Sequence, residues 1–209
     1  MEYFNIKECY IHNLNPQHHN DIEYTDQGQL EVYEFAKQKM ESLNYHTIID
    51  IGCGSGYKLM KLFSEYNTIG YEVEPCLSKL NELYPDRIWV DSGEPEKSFN
   101  KIDIRTGDII VCADVIEHII NPINLVEYLL SFNIKHFIIS TPCRDVLCNS
   151  PKYRNIYHGT ENGPPLNNAH VREWTMDEFK NFLERFFIIE ESYYGKKQIE
   201  CQYHLLSRK

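Results

Sequence analysis

The sequence predicts an α/β fold, a mostly parallel sheet with helices on both faces. Three observations predict it. Short β-branched runs alternate with segments of helical period along most of the chain, the pattern of successive strand–helix units. A glycine-rich turn, Gly52-Cys-Gly-Ser-Gly56, stands between the first of those runs and the helix after it. The chain closes on two apolar runs split by a turn near Gly195, an antiparallel hairpin at one edge of the sheet.

The elements follow in order. Residues 1–25 are polar, carry His12, His18 and His19, and have no clear period; an arm or lid over 1–28, with a disordered tail as the alternative, is expected ahead of one domain over 29–209. Val32, Tyr33, Ala36, Met40 and Leu43 recur at helical spacing and predict a first helix from Gln29 to Leu43. His46 to Ile51 is a buried strand that ends at Gly52. Leu59, Leu62, Phe63 and Tyr66 predict a helix over 57–66, and Asn67 to Glu72 a second strand. Cys76, Leu77, Leu80 and Tyr84 mark the next helix, and Arg87 to Val90 a third strand that closes at Asp91. Residues 92–106 are polar and expected as loop.

Asp108 to Ala113 is a fourth strand. Asn121 and Pro122 supply the N-cap and first turn of a helix whose apolar face is Leu125, Val126, Leu129 and Phe132. His136 to Ser140 is a fifth strand, stopped by Thr141-Pro142. Residues 143–174 are rich in Asn, Gly and Pro, and a loop of that length in a compact domain is usually functional. Thr175-Met-Asp-Glu178 is a capping box for a helix carrying Phe179, Phe182, Leu183 and Phe186. Phe187 to Tyr194 and Ile199 to Leu206 form the hairpin and bring the strand count to seven.

Composition narrows the function. The 209 residues suit a single domain, and 21 basic against 31 acidic residues leave a net charge of −10. Such a chain repels phosphate backbones, so no nucleic-acid partner is expected. No apolar run approaches the ~20 residues of a membrane span, and the N-terminus lacks the basic-then-apolar pattern of a secretory leader. The seven cysteines (Cys9, Cys53, Cys76, Cys112, Cys143, Cys148 and Cys201) are scattered, odd in number and without a C-x-x-C pair. Reduced thiols in a cytoplasmic setting are expected, not a disulfide frame or a zinc site.

The glycine spacing selects the ligand. Gly52, Gly54 and Gly56 are followed by Tyr57, whereas a dinucleotide fingerprint reads G-x-G-x-x-G. This argues against a pyrophosphate cofactor and disfavours a nicotinamide oxidoreductase. Glu72 ends the second strand, where a carboxylate can accept both hydroxyls of a ribose diol.

With these residues in view the chain resembles a family. Ile48-Ile-Asp-Ile-Gly-Cys-Gly-Ser-Gly56 is similar to the first motif of class I S-adenosylmethionine-dependent methyltransferases, and Gly70-Tyr-Glu72 to their ribose-binding position. Asp108-Ile-Ile-Val-Cys-Ala-Asp-Val-Ile-Glu-His118, Ile138-Ile-Ser-Thr-Pro142 and His170-Val-Arg-Glu-Trp-Thr175 resemble motifs of the ubiquinone-biosynthesis-like (methyltransferase 11/23 type) branch. The likeness runs from about Leu30 to Leu206. It implies a Rossmann-like three-layer sandwich with sheet order 3-2-1-4-5-7-6 and one antiparallel edge strand. It further implies S-adenosyl-L-methionine as cofactor and S-adenosyl-L-homocysteine as product. Asp50, Gly52, Cys53, Gly54 and Gly56 would then cradle the methionine end, Glu72 hold the ribose and Val73 pack on adenine. Asp91 and Ser92 would flank adenine, Asp114 and Val115 close the pocket, and Tyr24 or Tyr33 cover the methionine part. The departure is Glu72, where Asp is frequent.

Gly163-Pro-Pro-Leu-Asn-Asn-Ala-His-Val-Arg-Glu-Trp174 resembles methyltransferases of sugar and cell-surface glycan pathways, which implies a sugar or nucleotide-sugar acceptor. His118 and His170 are candidate general bases, with turn-capping and loop-positioning roles as the alternatives. Arg172 and Glu173 are expected to pair with each other. Asp114, Glu117 and His118 can supply metal ligands, but their spacing is not diagnostic. No metal is therefore expected, and methyl transfer is expected to survive chelation. A phenol, quinone-like or amine acceptor, RNA, and a non-catalytic cofactor-binding role remain as alternatives.

Overall fold

The computed structural model describes residues 4–17, 21–23, 25, 28–94, 98–99, 107–152, 156, 161–198 and 200–209. The elements in chain order are α1 (Leu30–Leu43), β1 (Thr47–Ile51), α2 (Tyr57–Phe63), β2 (Asn67–Glu72), α3 (Cys76–Leu83), β3 (Ile88–Asp91) and two short strands, β4 (Gly93–Glu94) and β5 (Ser98–Phe99). Then come β6 (Ile109–Ala113), a 3-10 turn (Ile116–His118), α4 (Pro122–Ser131), β7 (His136–Pro142), α5 (Arg144–Asn149), α6 (Met176–Leu183), β8 (Phe187–Tyr194) and β9 (Cys201–Arg208).

The main sheet has the order β3-β2-β1-β6-β7-β9-β8. With the β4–β5 ribbon set aside, this is the expected 3-2-1-4-5-7-6. Every pairing from β3 to β7 is parallel, and β9 pairs antiparallel with both β7 and β8. The strand that runs against the rest therefore lies one place in from the edge. The hairpin folds back so that β9 takes the free side of β7, and β8 becomes outermost.

The strand sequences are apolar on both sides because both faces are covered. Ile49, Ile51, Ile110 and Cys112 face a cluster with Leu125, Leu129, Phe179 and Phe182 from α4 and α6. Ile48, Ile109 and Val111 face the opposite cluster, with Ala36, Met40, Leu59 and Phe63 from α1 and α2. Two predicted caps form as the sequence requires. Asn121 Oδ1 accepts from Ile123 N, and Thr175 and Glu178 make the reciprocal capping box.

Two segments expected as loop carry more structure. Residues 93–94 and 98–99 pair as a ribbon, and residues 144–149 form α5. The helix of α5 has only six residues, too few for a hydrophobic period to stand out. No helix among the described residues is long and apolar enough to cross a membrane. Because β1, β2, β3, β6 and β7 are parallel, their C-terminal ends line one edge, and the glycine turn, Glu72, Asp91 and Asp114 all stand there.

Candidate active site

The glycine turn is tied to the end of β2. Gly52 N and Cys53 N both donate to Tyr71 O, at 2.9 and 3.3 Å. Gly54 N donates to Glu72 Oε2 at 2.6 Å, and Val73 N donates to Glu72 Oε1 at 2.9 Å. The Glu72 carboxylate is thus oriented by backbone, and each oxygen keeps a further lone pair. Gly52, Gly54 and Gly56 all have positive φ. Gly56 also serves packing. A Cβ there would lie 2.6 Å from Leu80 Cδ2 and 3.0 Å from a Trp89 ring carbon. At Gly52 the neighbour is Val115, whose Cγ2 would stand 2.5 Å from a Cβ, so Val115 closes on the turn.

Asp50 lies beneath the turn in β1 and is fully buried. Tyr33 Oη donates to its Oδ2 at 2.9 Å, while Oδ1 has no hydrogen-bond partner among the described residues. Burial pushes the Asp50 carboxyl from 3.8 up to about 7, against the opposing pull of the Tyr33 hydroxyl and the Lys58 charge. Tyr33 is itself buried from α1, with its hydroxyl turned to Asp50. Cys53 is buried, and burial holds its thiol well above the ordinary range, which favours the neutral thiol. Tyr24 lies outside the described residues.

At the neighbouring strand ends Glu72 and Asp91 sit in register. Asp91 is exposed, and its Oδ1 accepts from Gly93 N at 2.9 Å. Ser92 is buried and donates its N–H to Glu72 O at 3.0 Å. Val73 is half-buried between Glu72 and the start of α3. Asp21 of the N-terminal segment reaches the same place, since a Cβ on Gly54 would lie 2.9 Å from Asp21 Cβ.

The second half of the site follows β6. Asp114 has φ 53°, and its carboxylate accepts from Ser140 Oγ at 2.6 Å and Gln198 Nε2 at 3.3 Å. Burial raises its carboxyl, and these donors oppose the rise. Glu117 is completely buried. Thr141 Oγ1 donates to its Oε2 at 3.2 Å, and Oε1 accepts no hydrogen bond among the described residues. Burial and the Asp114 charge push the Glu117 carboxyl well up.

His118 and His170 meet edge to face, with ring centroids 4.9 Å apart. His118 Nδ1 lies 2.9 Å from Ala169 O, which only accepts, so Nδ1 carries the proton and Nε2 the lone pair. His118 Nε2 stands 3.9 Å from Glu117 Oε1. His170 Nδ1 lies 2.9 Å from Glu173 Oε1, and its Nε2 lies 2.9 Å from Asn167 Nδ2. The Asn167 amide is oriented by Ala169 N, which donates to its Oδ1 at 3.0 Å. His170 Nε2 is then the acceptor and Nδ1 the donor to Glu173. Glu173 therefore pairs with His170, and the expected Arg172–Glu173 pair is not what forms. Arg172 gives Nη1 and Nη2 to Ile119 O and Ile120 O, at 2.7 and 2.6 Å, and its Nε to His12 Nδ1.

Several residues that build this half carried no sequence signal. Arg144 is buried, donates to Glu173 O at 2.8 Å and Glu178 Oε2 at 2.6 Å, and lies over the Tyr10 ring. Tyr10 Oη accepts from Glu173 N at 3.0 Å, and Asn13 Nδ2 donates to Asn168 O and His170 O. The only local hint was the position of Arg144 just past Thr141-Pro142.

The sheet order, the glycine turn and the acidic strand ends define a Rossmann-like α/β protein built to hold a nucleoside. The chain matches the methyltransferase domain family over residues 22–187, and it belongs to that family. No curated protein matches it by sequence. Among solved structures it is similar to the small RNA methyltransferase HEN1 (21% identity, TM-score 0.64), covering 92% of this chain but only 27% of that one. It is similar to the plantazolicin methyltransferase BpumL in complex with a desmethylPZN analogue and SAH, at 16% identity and TM-score 0.58, over 86% and 83% of the two chains. It is also similar to the PH0226 protein from Pyrococcus horikoshii OT3, at 15% identity and TM-score 0.63, over 100% and 99%.

The chain thus carries a methyltransferase domain, the kind of domain whose usual donor is S-adenosylmethionine. The residues present fit that donor. Asp50 Oδ1 is buried and has no hydrogen-bond partner among the described residues, which suits a counter-charge for an ammonium. Glu72 offers two oriented oxygens for a diol, and at Gly54 the turn itself carries no side chain, although Asp21 packs against it.

Proposed function

We propose that the chain is an O-methyltransferase acting on a hydroxyl of a sugar or nucleotide-sugar in glycan biosynthesis, in the cytoplasm. The observation that carries this reading is the edge-to-face pair His118 and His170, backed by buried Glu117 one step along the sheet edge from the glycine turn. When bound, the cofactor supplies a methyl group already activated by positive sulfur. The remaining task is to align an acceptor at about 3 Å and to deal with its proton. An amine or carboxylate needs little help with the proton, but a sugar hydroxyl is a weak acid, and two imidazoles with a buried carboxylate suit it. Asp50 and Glu72 bind the two ends of the donor, Asp91 and Ser92 flank its base, and Val115 closes on the turn.

RNA, named for HEN1, is disfavoured for this chain by its net charge of −10. The seven free cysteines support a reducing compartment. The test is transfer of labelled methyl from S-adenosylmethionine to a panel of sugars, nucleotide-sugars, phenols, amines and short RNAs. Label on a sugar hydroxyl is expected. Label confined to RNA, a phenol or an amine overturns the acceptor class. No label on any acceptor, with S-adenosylhomocysteine still bound, would make the protein a non-catalytic binding partner.

A further inference from the structure

Resting on the reading of the acceptor as a sugar, we propose that a cavity between α1 and the β8–β9 hairpin binds an uncharged sugar unit, the second unit of an oligosaccharide acceptor. The cavity has a volume of about 560 Å³ and lies between Phe35 of α1 and Tyr193 and Tyr203 of the hairpin.

One wall is aromatic. Tyr193 and Tyr203 stack with ring centroids 5.4 Å apart and planes inclined at 27°. Phe35 packs against both rings, at 5.4 and 5.3 Å. Phe35 and Tyr203 are buried, whereas Tyr193 is 37% exposed. An uncovered ring in a cavity with a polar rim is a place for the apolar face of a ligand. A pyranose has such a face, formed by its ring C–H groups, with hydroxyls around its edge.

The rim is charged but balanced. Glu31, Glu34 and Glu191 are set against Lys39, Lys196 and Lys197. Lys39 Nζ pairs with Glu191, and Lys197 Nζ with Glu34 at 2.5 Å. The backbone N–H groups of Lys196 and Lys197 donate to Glu31 Oε2 at 2.8 and 2.7 Å. Tyr193 Oη donates to Glu191 at 2.6 Å, and Tyr203 Oη to Glu31 at 3.3 Å. With no net charge, the rim selects against phosphates and amines alike. A paired ammonium still has N–H groups to give, and a paired carboxylate still has lone pairs that accept. Hydroxyls, which donate and accept at once, match both. Ion pairs this exposed contribute only about 0–1 kcal/mol each, so stability does not account for their placement beside an uncovered ring.

The cavity adjoins the acceptor half of the site. Its Lys196-Lys197 rim is followed directly by Gln198, whose Nε2 donates to Asp114 at 3.3 Å. Cys201 lies on the same face of β9 as Tyr203, about 7 Å along the strand, and its Sγ stands 4.0 Å from Asp114 Oδ1. A sugar chain with one unit on the Tyr193 ring therefore carries a neighbouring unit past the hairpin tip toward Asp114. No bond changes in the cavity. Its role is to hold the acceptor by a part remote from the reacting hydroxyl.

The experiment applies the full chain, without donor, to an array of neutral mono- and oligosaccharides read with an antibody to the protein. The best-bound oligosaccharide is then titrated by calorimetry. Oligosaccharides should bind, and their single-unit counterparts much more weakly. Tyr193→Ala should weaken the titrated ligand about tenfold or more, and Tyr193→Phe, which keeps the ring, should restore most of the affinity. Both variants should still bind S-adenosylhomocysteine, which reports an intact fold. Saturation of the aromatic protons of the wild type should transfer to the ring C–H groups of the bound sugar, a result that needs no variant. Spermidine and tripolyphosphate should not compete. With that oligosaccharide as methyl acceptor, Tyr193→Ala should raise KM far more than it changes kcat. No oligosaccharide bound on the array, affinity unchanged in Tyr193→Ala, no saturation transfer from the rings, or displacement by spermidine or tripolyphosphate each overturns the proposal. Because binding is read without methyl transfer, the two readings fail separately: label on a sugar hydroxyl with no oligosaccharide bound overturns the cavity alone.

Discussion

Asp50 gives the cofactor pocket a pH dependence whose sign and size follow from its surroundings. Its carboxyl is held at about 7 by burial, and one oxygen has no partner. A ligand that brings an ammonium to that oxygen binds the ionised form. Affinity for S-adenosylhomocysteine should therefore rise with pH through about 7. If only the ionised form binds, about a tenth of the sites are competent at pH 6 and about nine-tenths at pH 8, a gain of about tenfold. Calorimetry across that range measures it, and buffers of different ionisation enthalpy at pH 7 should report proton release. Asp50→Asn should bind weakly and show no such rise. The stability of the cofactor-free protein must move the other way. The folded value lies above the unfolded one, so the stability Asp50 contributes is full below pH 4 and lost as pH rises through about 7. Between pH 5 and 8 the wild type should lose roughly 2–3 kcal/mol relative to Asp50→Asn, which separates their melting temperatures by several degrees. Wild-type affinity that stays flat from pH 6 to 8, with Asp50→Asn still weak, would refute the reasoning, because the carboxylate would already be ionised.

Four further outcomes are expected. Glu72→Ala should weaken S-adenosylhomocysteine binding about tenfold to a hundredfold, since hydrogen bonds to a charged acceptor are worth about 1.5–3 kcal/mol; calorimetry reads it, and an unchanged constant would misplace the pocket. Gly56→Ala should lower the melting temperature by roughly 4–16 °C, because its Cβ meets Leu80 and Trp89 at a positive φ. Arg144→Ala strips Glu178 and Glu173 O of a buried guanidinium and should cost about 3–5 kcal/mol in denaturant unfolding; a loss below about 1 kcal/mol would make the contact incidental. His118→Ala and His170→Ala should lower kcat by roughly a hundredfold or more, with cofactor affinity changed far less, and normal turnover by both would make the pair structural.

The proposed cofactor half of the site could be read from the sequence because it is local. Asp50, the glycine turn and Glu72 lie within a strand, a turn and the next strand, and parallel pairing of β1 with β2 brings them together without further information. The acceptor half is assembled across long separations. Glu117 and His118 follow β6, while His170, Glu173 and Asn167 come from the segment before α6. The alternative to the Arg172–Glu173 pair could not be seen in sequence. Neighbouring residues on an irregular backbone point apart, and only the fold shows that Ile119 O and Ile120 O claim the guanidinium.

What fixes the acceptor half is the N-terminal segment as much as the sheet. Ile11 N donates to Asn162 O, Asn13 N to Val171 O and Gln17 N to Asn168 O, so residues 11–17 run alongside 162–171. Ile6 and Tyr10 are buried in the core, which a free tail would not permit. The Tyr10 ring stacks under Arg144, whose other contacts reach Glu173 O and the Glu178 of the capping box. His170 is thereby set by three elements remote in sequence: the strap, α5 and the start of α6. A histidine held this way has one permitted ring orientation, with Nδ1 on Glu173 and Nε2 accepting from the Asn167 amide. That constraint is expensive for a segment with little regular structure. It is explicable if the direction of one nitrogen lone pair is what the arrangement exists to fix.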